Sequence, residues 1–432
     1  MPQNKTPAKN STLRTRLDTS GPARSDSSCC PITSTSTPGK ILDPPAGDLL
    51  VEDNIYTGPP QVEKKLPGIL DRVNKWHSWR WQMQNRIRSA KELLAAFPDS
   101  APDLASPIAS ATTRFPMAIT PYYASLIKDL ASSDPIFRMA VPQPGELLDP
   151  PFLKDDPLEE ESNMPVPGLV RRYPDRVLLL VTTLCATYCR YCTRKRLSGQ
   201  EESTITITDE RLKGSISYIA SHPRIRDVLV SGGDPFTLST ERLRHILASL
   251  RTIPTVDIIR IGTRTPVTLP MRITDRLVSM LRQYQPIWIN THFNHPRELT
   301  PEASAACARL VDAGIPLGNQ TVLLRGVNDD PKVLETLFRG LVRNRVRPYY
   351  LLQCDLVRGV EDFRTSLSRG IEIMKYLRGR LSGIAIPTYV VDAPGKGGKV
   401  PVLPNYVVSM GPTRTILRNS EGILVDYPEP LR

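Results

Sequence analysis

The sequence has no long run of apolar residues. Although 40% of its 432 residues are hydrophobic, none of its apolar stretches approaches the ~20 residues that a membrane-spanning helix needs. Cysteine is also scarce, with seven in the whole chain, and its scattered spacing is unlike the disulfide framework of a small secreted protein. These absences predict a soluble, globular protein without a membrane partner, in a reducing compartment that we expect to be the cytoplasm.

Acidic residues are outnumbered by basic ones, and the formal net charge is +12. Such a charge can indicate nucleic-acid binding, but the basic residues are dispersed, and no basic stripe interleaved with aromatic residues is present. The densest basic group is Arg190, Arg194, Lys195 and Arg196, which we interpret as ligands for small anions. The sequence therefore predicts a small-molecule partner and no nucleic acid.

Aliphatic pairs are almost missing from residues 1–60, which are rich in Ser, Thr and Pro. Such a segment cannot bury enough apolar surface to offset the entropy lost on ordering, so we predict a disordered tail. Its Lys and Arg content leaves an organellar transit peptide as the alternative. The prolines and the weak amphipathic pattern argue against that alternative.

Residues 61–165 are predicted to form an N-terminal helical region. Three of the four tryptophans lie at helical spacing within Val73–Phe97, which predicts a helix that packs them on the main domain. Residues 98–165 alternate Pro-rich turns with short helical pieces such as Tyr122–Ser132. No catalytic pattern is visible in this stretch.

Residues 166–385 alternate short β-rich runs with amphipathic helical segments. Six strands, each followed by a helix, predict an α/β fold with a curved parallel sheet, a partial (βα)6 barrel. The predicted strands are Val177–Val181, Asp227–Ser231, Asp257–Ile261, Ile287–Thr291, Leu317–Leu323 and Pro348–Gln353. Chemistry in such barrels lies at the C-terminal ends of the strands.

Candidate groups occur at or near each of these strand ends. They are a cysteine loop after the first strand, Ser231, Gly232, Gly233 and Asp234 after the second, Arg264 after the third, His292 and Asn294 after the fourth, Gln320 within the fifth and Asp355 after the sixth. A glycine pair after a strand lets the backbone approach a ligand, although alone it is a weak signal. A core histidine is the alternative interpretation of His292.

The cysteine loop carries Cys185, Cys189 and Cys192 at a C-x3-C-x2-C spacing. Three thiolates on a tight loop suit an iron–sulfur cluster, whereas a ferredoxin-type or tetrahedral zinc site would need a fourth protein ligand. No other cysteines form a second pair at this spacing. We therefore expect the fourth iron to be open to a substrate or cofactor, with three chance cysteines as the alternative.

A Gly-rich stretch ending in Lys399 lies within Val390–Asn405. It lacks the Gly-Lys-Ser/Thr ending of a phosphate-binding loop, and prolines would break the helix that should follow, so a nucleoside triphosphate site is not expected. A lysine among glycines near strand ends suits instead a Schiff base with pyridoxal 5'-phosphate (PLP). Residues 386–432 are therefore predicted to be the PLP-lysine segment.

The cysteine spacing, with the aromatic Tyr191 before the last cysteine, resembles the radical S-adenosylmethionine (SAM) superfamily. From Trp76 to about Pro430 the chain resembles, more narrowly, the lysine 2,3-aminomutases. The matching blocks, in family order, are Arg172–Arg176, Cys185–Arg196, Ser231–Asp234, Asn290–His295, Gly318–Gln320, Gly326–Asp329, Gln353–Asp355 and Asp392–Gly395. This resemblance implies a radical SAM barrel.

The resemblance also implies three cofactors: a 4Fe-4S cluster on the three cysteines, SAM and PLP. Lys399 would be the PLP lysine, Arg194 would bind the substrate carboxylate, and Asp355 and Asp392 would bind the distal amine. The further implied cofactor-binding residues are Arg172, Tyr173 and Arg176 around PLP, His292 and Gln320 near SAM, and Tyr191, Ser231, Gly232, Gly233 and Asp234.

The implied reaction moves the α-amino group of L-lysine to C3 and gives β-lysine. A radical made by reductive cleavage of SAM would take hydrogen from C3 of lysine held as an aldimine on PLP. An electron donor such as flavodoxin or ferredoxin would be a partner, and a homo-oligomer is expected.

Two positions depart from the family pattern. Asp330 stands where zinc-linked members carry a cysteine, and the Cys-rich tail is missing, so we expect no zinc site between subunits. Leu352 replaces an aromatic residue and could widen the pocket. Three alternatives therefore stay open: an arginine 2,3-aminomutase that gives β-arginine, a lysine isomerase acting in translation-factor modification, and an iron–sulfur protein without catalysis.

Overall fold

The computed structural model describes residues 73–100, 102–197 and 206–430. The predicted disordered tail, residues 1–60, lies outside them. Among the described residues, no helix combines the length and the apolar character needed to cross a membrane.

A nine-stranded sheet forms the centre of the described part of the chain, and its strand order follows the chain order. The strands are β1 Leu169–Val170, β2 Arg176–Thr182, β3 Asp227–Gly232, β4 Ile258–Gly262, β5 Ile287–Thr291, β6 Leu317–Leu323, β7 Val346–Gln353, β8 Thr388–Ala393 and β9 Gly398–Pro401. Neighbours from β2 to β8 are parallel, and β1 and β9 are antiparallel edges. The six predicted strands and the α/β class are confirmed, whereas β1, β8 and β9 were not predicted.

The strands have one face against the helices and one face toward a central cavity. On β3, Val228 and Val230 are fully buried, whereas Leu229 and Ser231 line the cavity. This follows from the two-residue period of side chains along a strand. The inner face therefore carries the polar residues that a site needs.

Helices connect consecutive parallel strands and cover the outer face. They are α7 Asp209–Ala220, α8 Thr240–Arg251, α9 Thr265–Thr268, α10 Asp275–Arg282, α11 Pro301–Asp312, α12 Pro331–Arg343 and α13 Leu367–Arg378. Polar residues cap several of them; Ser239, for example, accepts a backbone hydrogen bond at the start of α8. Asp330 caps α12 in the same way, which gives this residue a helix-capping role.

The N-terminal helices are shorter than predicted. They are α1 Val73–Trp76, α2 Trp79–Gln84, α3 Ala90–Ala96, α4 Ala105–Arg114, α5 Pro121–Ala124 and α6 Pro135–Ala140. The single helix predicted over Val73–Phe97 is wrong, because Ser78 and Ser89 cap new helices and break the run. The piece predicted over Tyr122–Ser132 is α-helical only as far as Ala124.

The C-terminal segment contributes to two sheets. Strands β8 and β9 extend the central sheet, whereas β10 Val407–Met410, β11 Arg414–Arg418 and β12 Leu424–Pro428 form a separate antiparallel sheet. The predicted division of the chain at residues 60, 165 and 385 stays a prediction.

A buried ion cluster joins the N-terminal region to the cysteine loop. Glu146 is 1% exposed and accepts hydrogen bonds from Arg190 at 2.7 Å and Lys195 at 2.6 Å. Burial opposes its ionisation, but these two cations hold the pKa of Glu146 below its usual value. Arg196 is paired with Asp156, Glu160 and Glu161. The interpretation of Arg190, Lys195 and Arg196 as ligands for small anions is therefore wrong, because carboxylates of the protein itself bind them and, unlike Arg194, none of the three lines the central cavity.

Replacing Arg190 with Met is expected to lower the free energy of unfolding by about 3 kcal/mol, because it leaves the buried Glu146 with one cation. Anaerobic urea denaturation measures this change. Arg226→Met is the matched control, since Arg226 pairs with Asp257 while both side chains are more than half exposed; it should change stability little. Equal effects of the two substitutions would contradict the importance of the buried cluster.

Candidate active site

A cavity of ≈ 600 Å³ lies on the inner face of the sheet. Every residue predicted to bind the cluster, a cofactor or the substrate lines it: Arg172, Tyr173, Arg176, Cys185, Cys189, Tyr191, Cys192, Arg194, Ser231, Gly232, Gly233, Asp234, His292, Gln320, Asp355, Asp392 and Lys399. Asn294, a further candidate group after β5, is fully buried and does not line the cavity. Parallel strands bring their C-terminal ends to one edge of a sheet, which is why residues far apart in sequence meet here. Their individual roles stay predictions.

The cysteine loop follows β2. Its three cysteines are free and largely buried, and they line the same cavity. Burial raises the pKa of Cys185 and Cys192, so bound positive charge, such as that of iron, favours the thiolate that a metal requires. Among the described residues, no three His, Cys, Asp or Glu side chains form a site for a single metal ion. Three cysteine thiols on one loop are donors of the kind that bind an iron–sulfur cluster.

Gly232 and Gly233 lie directly against the start of the cysteine loop. A Cβ on Gly232 would lie 2.4 Å from the carbonyl oxygen of Thr182, and one on Gly233 would lie 2.5 Å from that of Leu184. Gly232 also has a φ of +120°, which favours glycine. The backbone N–H of Gly233 donates to Thr182 at 2.6 Å. The glycines thus permit close packing against the loop, besides facing the cavity.

Gly233→Ala should displace Thr183 and Leu184 and misplace Cys185, because the new Cβ would overlap with backbone atoms that can move only at a large cost in energy. We expect severalfold less iron and sulfide per chain after anaerobic reconstitution. Gly214→Ala on α7 is the control, since no atom lies within 4 Å of its added Cβ. Full cluster loading of the Gly233 variant would argue against this packing role.

Asp234 holds two strand ends together. Its carboxylate accepts hydrogen bonds from the Thr263 hydroxyl at 2.6 Å, the Arg264 backbone at 2.8 Å and the Phe236 backbone at 3.0 Å. Burial nevertheless raises its pKa. These contacts tie the end of β3 to the end of β4.

Lys399 lies on β9 directly opposite Asp392 on β8. Its amino group is paired with Asp392, which also accepts a hydrogen bond from Arg172 at 3.2 Å. The hydroxyl of Tyr173 accepts from the Lys399 backbone at 3.0 Å. Gly398 has a φ of +66°, and its Cβ position lies 3.1 Å from that hydroxyl. The lysine is therefore held by its neighbours and still faces the cavity.

The surroundings of Lys399 fit PLP. The Nε of Arg172 is buried and has no hydrogen-bond partner among the described residues, so it can donate to an anionic group. Arg176 adds a second cation at the cavity wall. The amino group of Lys399 also lies 6.0 Å from the centre of the Tyr350 ring. An amine, two guanidinium groups and an aromatic wall are suited to a phosphorylated pyridine aldehyde.

Asp355 follows β7 and accepts a hydrogen bond from the Thr193 hydroxyl. Desolvation, and then the neighbouring charge of Asp392, raise its pKa to about 6. Two carboxylates therefore interact across one end of the cavity. A cation bound between them would relieve both effects.

Arg194 extends into the cavity while paired with Glu160. The guanidinium donates to this carboxylate from Nε at 3.0 Å and from Nη2 at 2.7 Å, and Glu160 is only 2% exposed. Glu160 belongs to residues 98–165, where no catalytic pattern is visible in the sequence, and it lines the cavity.

His292 follows β5 and faces the cavity, so it is not a residue of the apolar core. Burial, followed by the charges of Arg264 and Arg194, lowers its pKa to about 4. The imidazole is therefore neutral at neutral pH. Gln320 lies on the adjacent strand β6 and faces the same space.

Comparison with known proteins identifies the family. A model of the radical SAM superfamily matches residues 179–337, and a model of lysine-2,3-aminomutase matches residues 374–432. L-lysine 2,3-aminomutase of Clostridium subterminale is 52% identical over 356 residues, which are 82% of this chain and 85% of that protein. The chain belongs to the lysine 2,3-aminomutase family.

Two further relatives are named for different activities. L-lysine 2,3-aminomutase of Methanococcus maripaludis is 51% identical over 363 residues, covering 83% of each protein. Glutamate 2,3-aminomutase of Clostridioides difficile is 45% identical over 370 residues, covering 84% of this chain and 86% of that protein. Membership of the lysine 2,3-aminomutase family therefore leaves the amino-acid substrate to be argued from the site.

Several residues that shape the site in this family member were missed by sequence reasoning. Thr193 lies directly after Cys192, so its position inside the cysteine motif could have drawn notice. Glu160 and Glu298 gave no signal of a role at the site, because the arginines that they meet there, Arg194 and Arg264, are distant in sequence.

Proposed function

We propose that this protein is a radical SAM, PLP-dependent 2,3-aminomutase that moves the α-amino group of L-lysine to C3, giving β-lysine. The observation that carries the proposal is the pair of carboxylates, Asp355 and Asp392, in one cavity with Lys399 and the three cysteines. Burying an ion without a partner of opposite charge in a partly desolvated site costs roughly several kcal/mol. The cationic side chain of lysine meets opposite charge there.

Each end of the substrate would be bound by groups of suitable charge. Arg194 binds the carboxylate, and Glu160 fixes the orientation of its guanidinium. Asp355 and Asp392 bind the distal ammonium group. Because the pKa of Asp355 is about 6, this carboxylate is mostly ionised at neutral pH and attracts a cation.

The cofactor residues divide between two parts of the cavity. Cys185, Cys189 and Cys192 would hold three irons of a 4Fe-4S cluster, and Lys399 and Arg172 would hold PLP. When bound, these groups and SAM supply what the side chains lack, namely a hydrogen-abstracting radical and a conjugated ring on which nitrogen can migrate. The close packing of Gly233 against the cysteine loop keeps the proposed cluster ligands in place, and the pairing of Lys399 with Asp392 does the same for the proposed PLP lysine.

The charges of the site argue against an acidic substrate and leave arginine as the main rival. Glutamate would place its distal carboxylate beside the aspartate pair and be repelled. Arginine presents a planar fork that can bridge two carboxylates, and Leu352 lines the cavity where related enzymes are expected to have an aromatic residue. Lysine is the preferred substrate of this proposal, and β-arginine formation is the alternative outcome.

The electron for SAM cleavage would come from a low-potential donor such as flavodoxin or ferredoxin, and the protein would act in the cytoplasm as a homo-oligomer.

Lys399 is expected to carry PLP, because a Schiff base needs an amine on an accessible wall of the site. Reduction of the reconstituted protein with borohydride, followed by peptide mapping, should find the pyridoxyl group on Lys399. Lys399→Arg should remove the visible absorption band, and Lys396→Arg is the matched control that should keep it. A pyridoxyl group on Lys396 would refute the placement.

Competition between amino acids tests the substrate. With equimolar lysine, arginine and glutamate under anaerobic, reducing conditions, β-lysine should be the main product. Asp355→Asn should raise the KM for lysine about 10- to 100-fold, as expected for loss of a charged hydrogen bond worth about 1.5–3 kcal/mol. Asp355 is better suited than Asp392, which also contacts Lys399 and Arg172.

The competition has two contrary outcomes. Mainly β-glutamate would overturn the proposed charge complementarity, and mainly β-arginine would move the assignment to the rival substrate. SAM cleavage by the Asp355 variant serves as the internal control and should remain close to that of the unaltered protein.

A further inference from the structure

Arg264 extends from the end of β4 to the cysteine loop. Its Nη1 donates to the Sγ of Cys189 at 3.0 Å. Its Nη2 donates to the carboxylate of Glu298 at 2.6 Å and to the hydroxyl of Tyr123 at 2.7 Å. Its Nε donates to the carbonyl of His292 at 3.3 Å. All three nitrogens of the guanidinium are thus engaged, one of them by a cysteine of the cluster motif.

The surrounding contacts hold this arginine in one orientation. Its own backbone N–H is bound by Asp234, and its side chain is only 8% exposed. Glu298 is fully buried and also accepts from the backbone N–H groups of Asn294 at 2.6 Å and His295 at 3.0 Å. Arg264 therefore cannot swing away from Cys189 without leaving Glu298 buried and uncompensated.

We propose that Arg264 is a positioning residue that tunes the iron–sulfur cluster by donating a hydrogen bond to the Cys189 ligand. This inference rests on the proposed function, because it requires a cluster on the three cysteines. One-electron reduction adds negative charge that is shared by the ligand sulfurs. A cationic N–H donor stabilises the reduced form more than the oxidised form and so raises the reduction potential. The dry surroundings strengthen this effect.

Replacing Glu298 is expected to change the reduction potential of the cluster in the direction opposite to that of replacing Arg264. Its carboxylate lies 2.6 Å from Arg264 and offsets the positive charge near the cluster. Removing this negative charge while keeping the arginine should stabilise the reduced cluster further. A purely structural role for the two residues would instead disturb the cluster in the same way in both variants.

The test is a redox titration of the reconstituted protein, with dithionite as the reductant and electron paramagnetic resonance as the readout. Arg264→Gln should shift the midpoint potential of the cluster to more negative values. Glu298→Gln should shift it to more positive values. Arg264→Lys keeps the charge and is the second variant, to be used if the glutamine variant does not fold; it should shift the potential in the same negative direction by a smaller amount.

Tyr123→Phe is the matched control. It removes a hydroxyl from the same hydrogen-bond network, but leaves the donor to Cys189 in place, so the potential should stay close to that of the unaltered protein.

The inference would be overturned if the midpoint potentials of the Arg264 and Glu298 variants shifted in the same direction or did not change. The proposed function would still stand in that case, provided that the protein binds the cluster and cleaves SAM. Absence of a cluster from the unaltered protein would overturn both.

Discussion

Charge compensation holds the cysteine loop in place. Each of three buried carboxylates from other elements meets an arginine at the loop or beside it: Glu146 meets Arg190, Glu160 meets Arg194, and Glu298 meets Arg264. A buried ion without its partner is strongly destabilising, so these pairs permit few alternative positions. The thiols therefore lie on a loop whose position is restricted by ion pairs of the protein itself.

Close packing of the backbone also holds the cysteine loop in place. The glycine pair after β3 lets the chain approach the entrance of the loop, where a Cβ at either position would lie within 2.5 Å of a carbonyl oxygen. Asp234 then ties β3 to β4 through Thr263 and Arg264. The same strand ends that carry the site residues thus support one another, which links the stability of the barrel edge to the precision of the site.

The choice of amino-acid substrate depends on the charges of the cavity, whereas overall identity indicates only the family. Relatives named for lysine and for glutamate are both about half identical to this chain, so overall similarity does not choose between the two amino acids. Under the proposed function Asp355 and Asp392 make this choice, because two carboxylates at one end of the cavity favour a cation. Asp392 is paired with Lys399 and Arg172, so this carboxylate contacts the proposed cofactor lysine and also lines the cavity proposed for the substrate.

The sequence by itself determined the parallel sheet and the residues that face its cavity. Strands such as β5 and β6 were predicted with their observed bounds, since hydrophobic periodicity and turn residues are local signals, and the spacing of the cysteines is a local signal too. Only the tertiary structure decided that Arg190 and Lys195 bind Glu146, that Arg194 binds Glu160, and that Arg264 contacts Cys189. It also decided that β8 and β9 join the central sheet and bring Lys399 opposite Asp392. Apart from β8 and β9, which are neighbours in sequence, those partners are far apart along the chain, and an ion pair or a strand pairing of this kind leaves no periodic mark in the sequence.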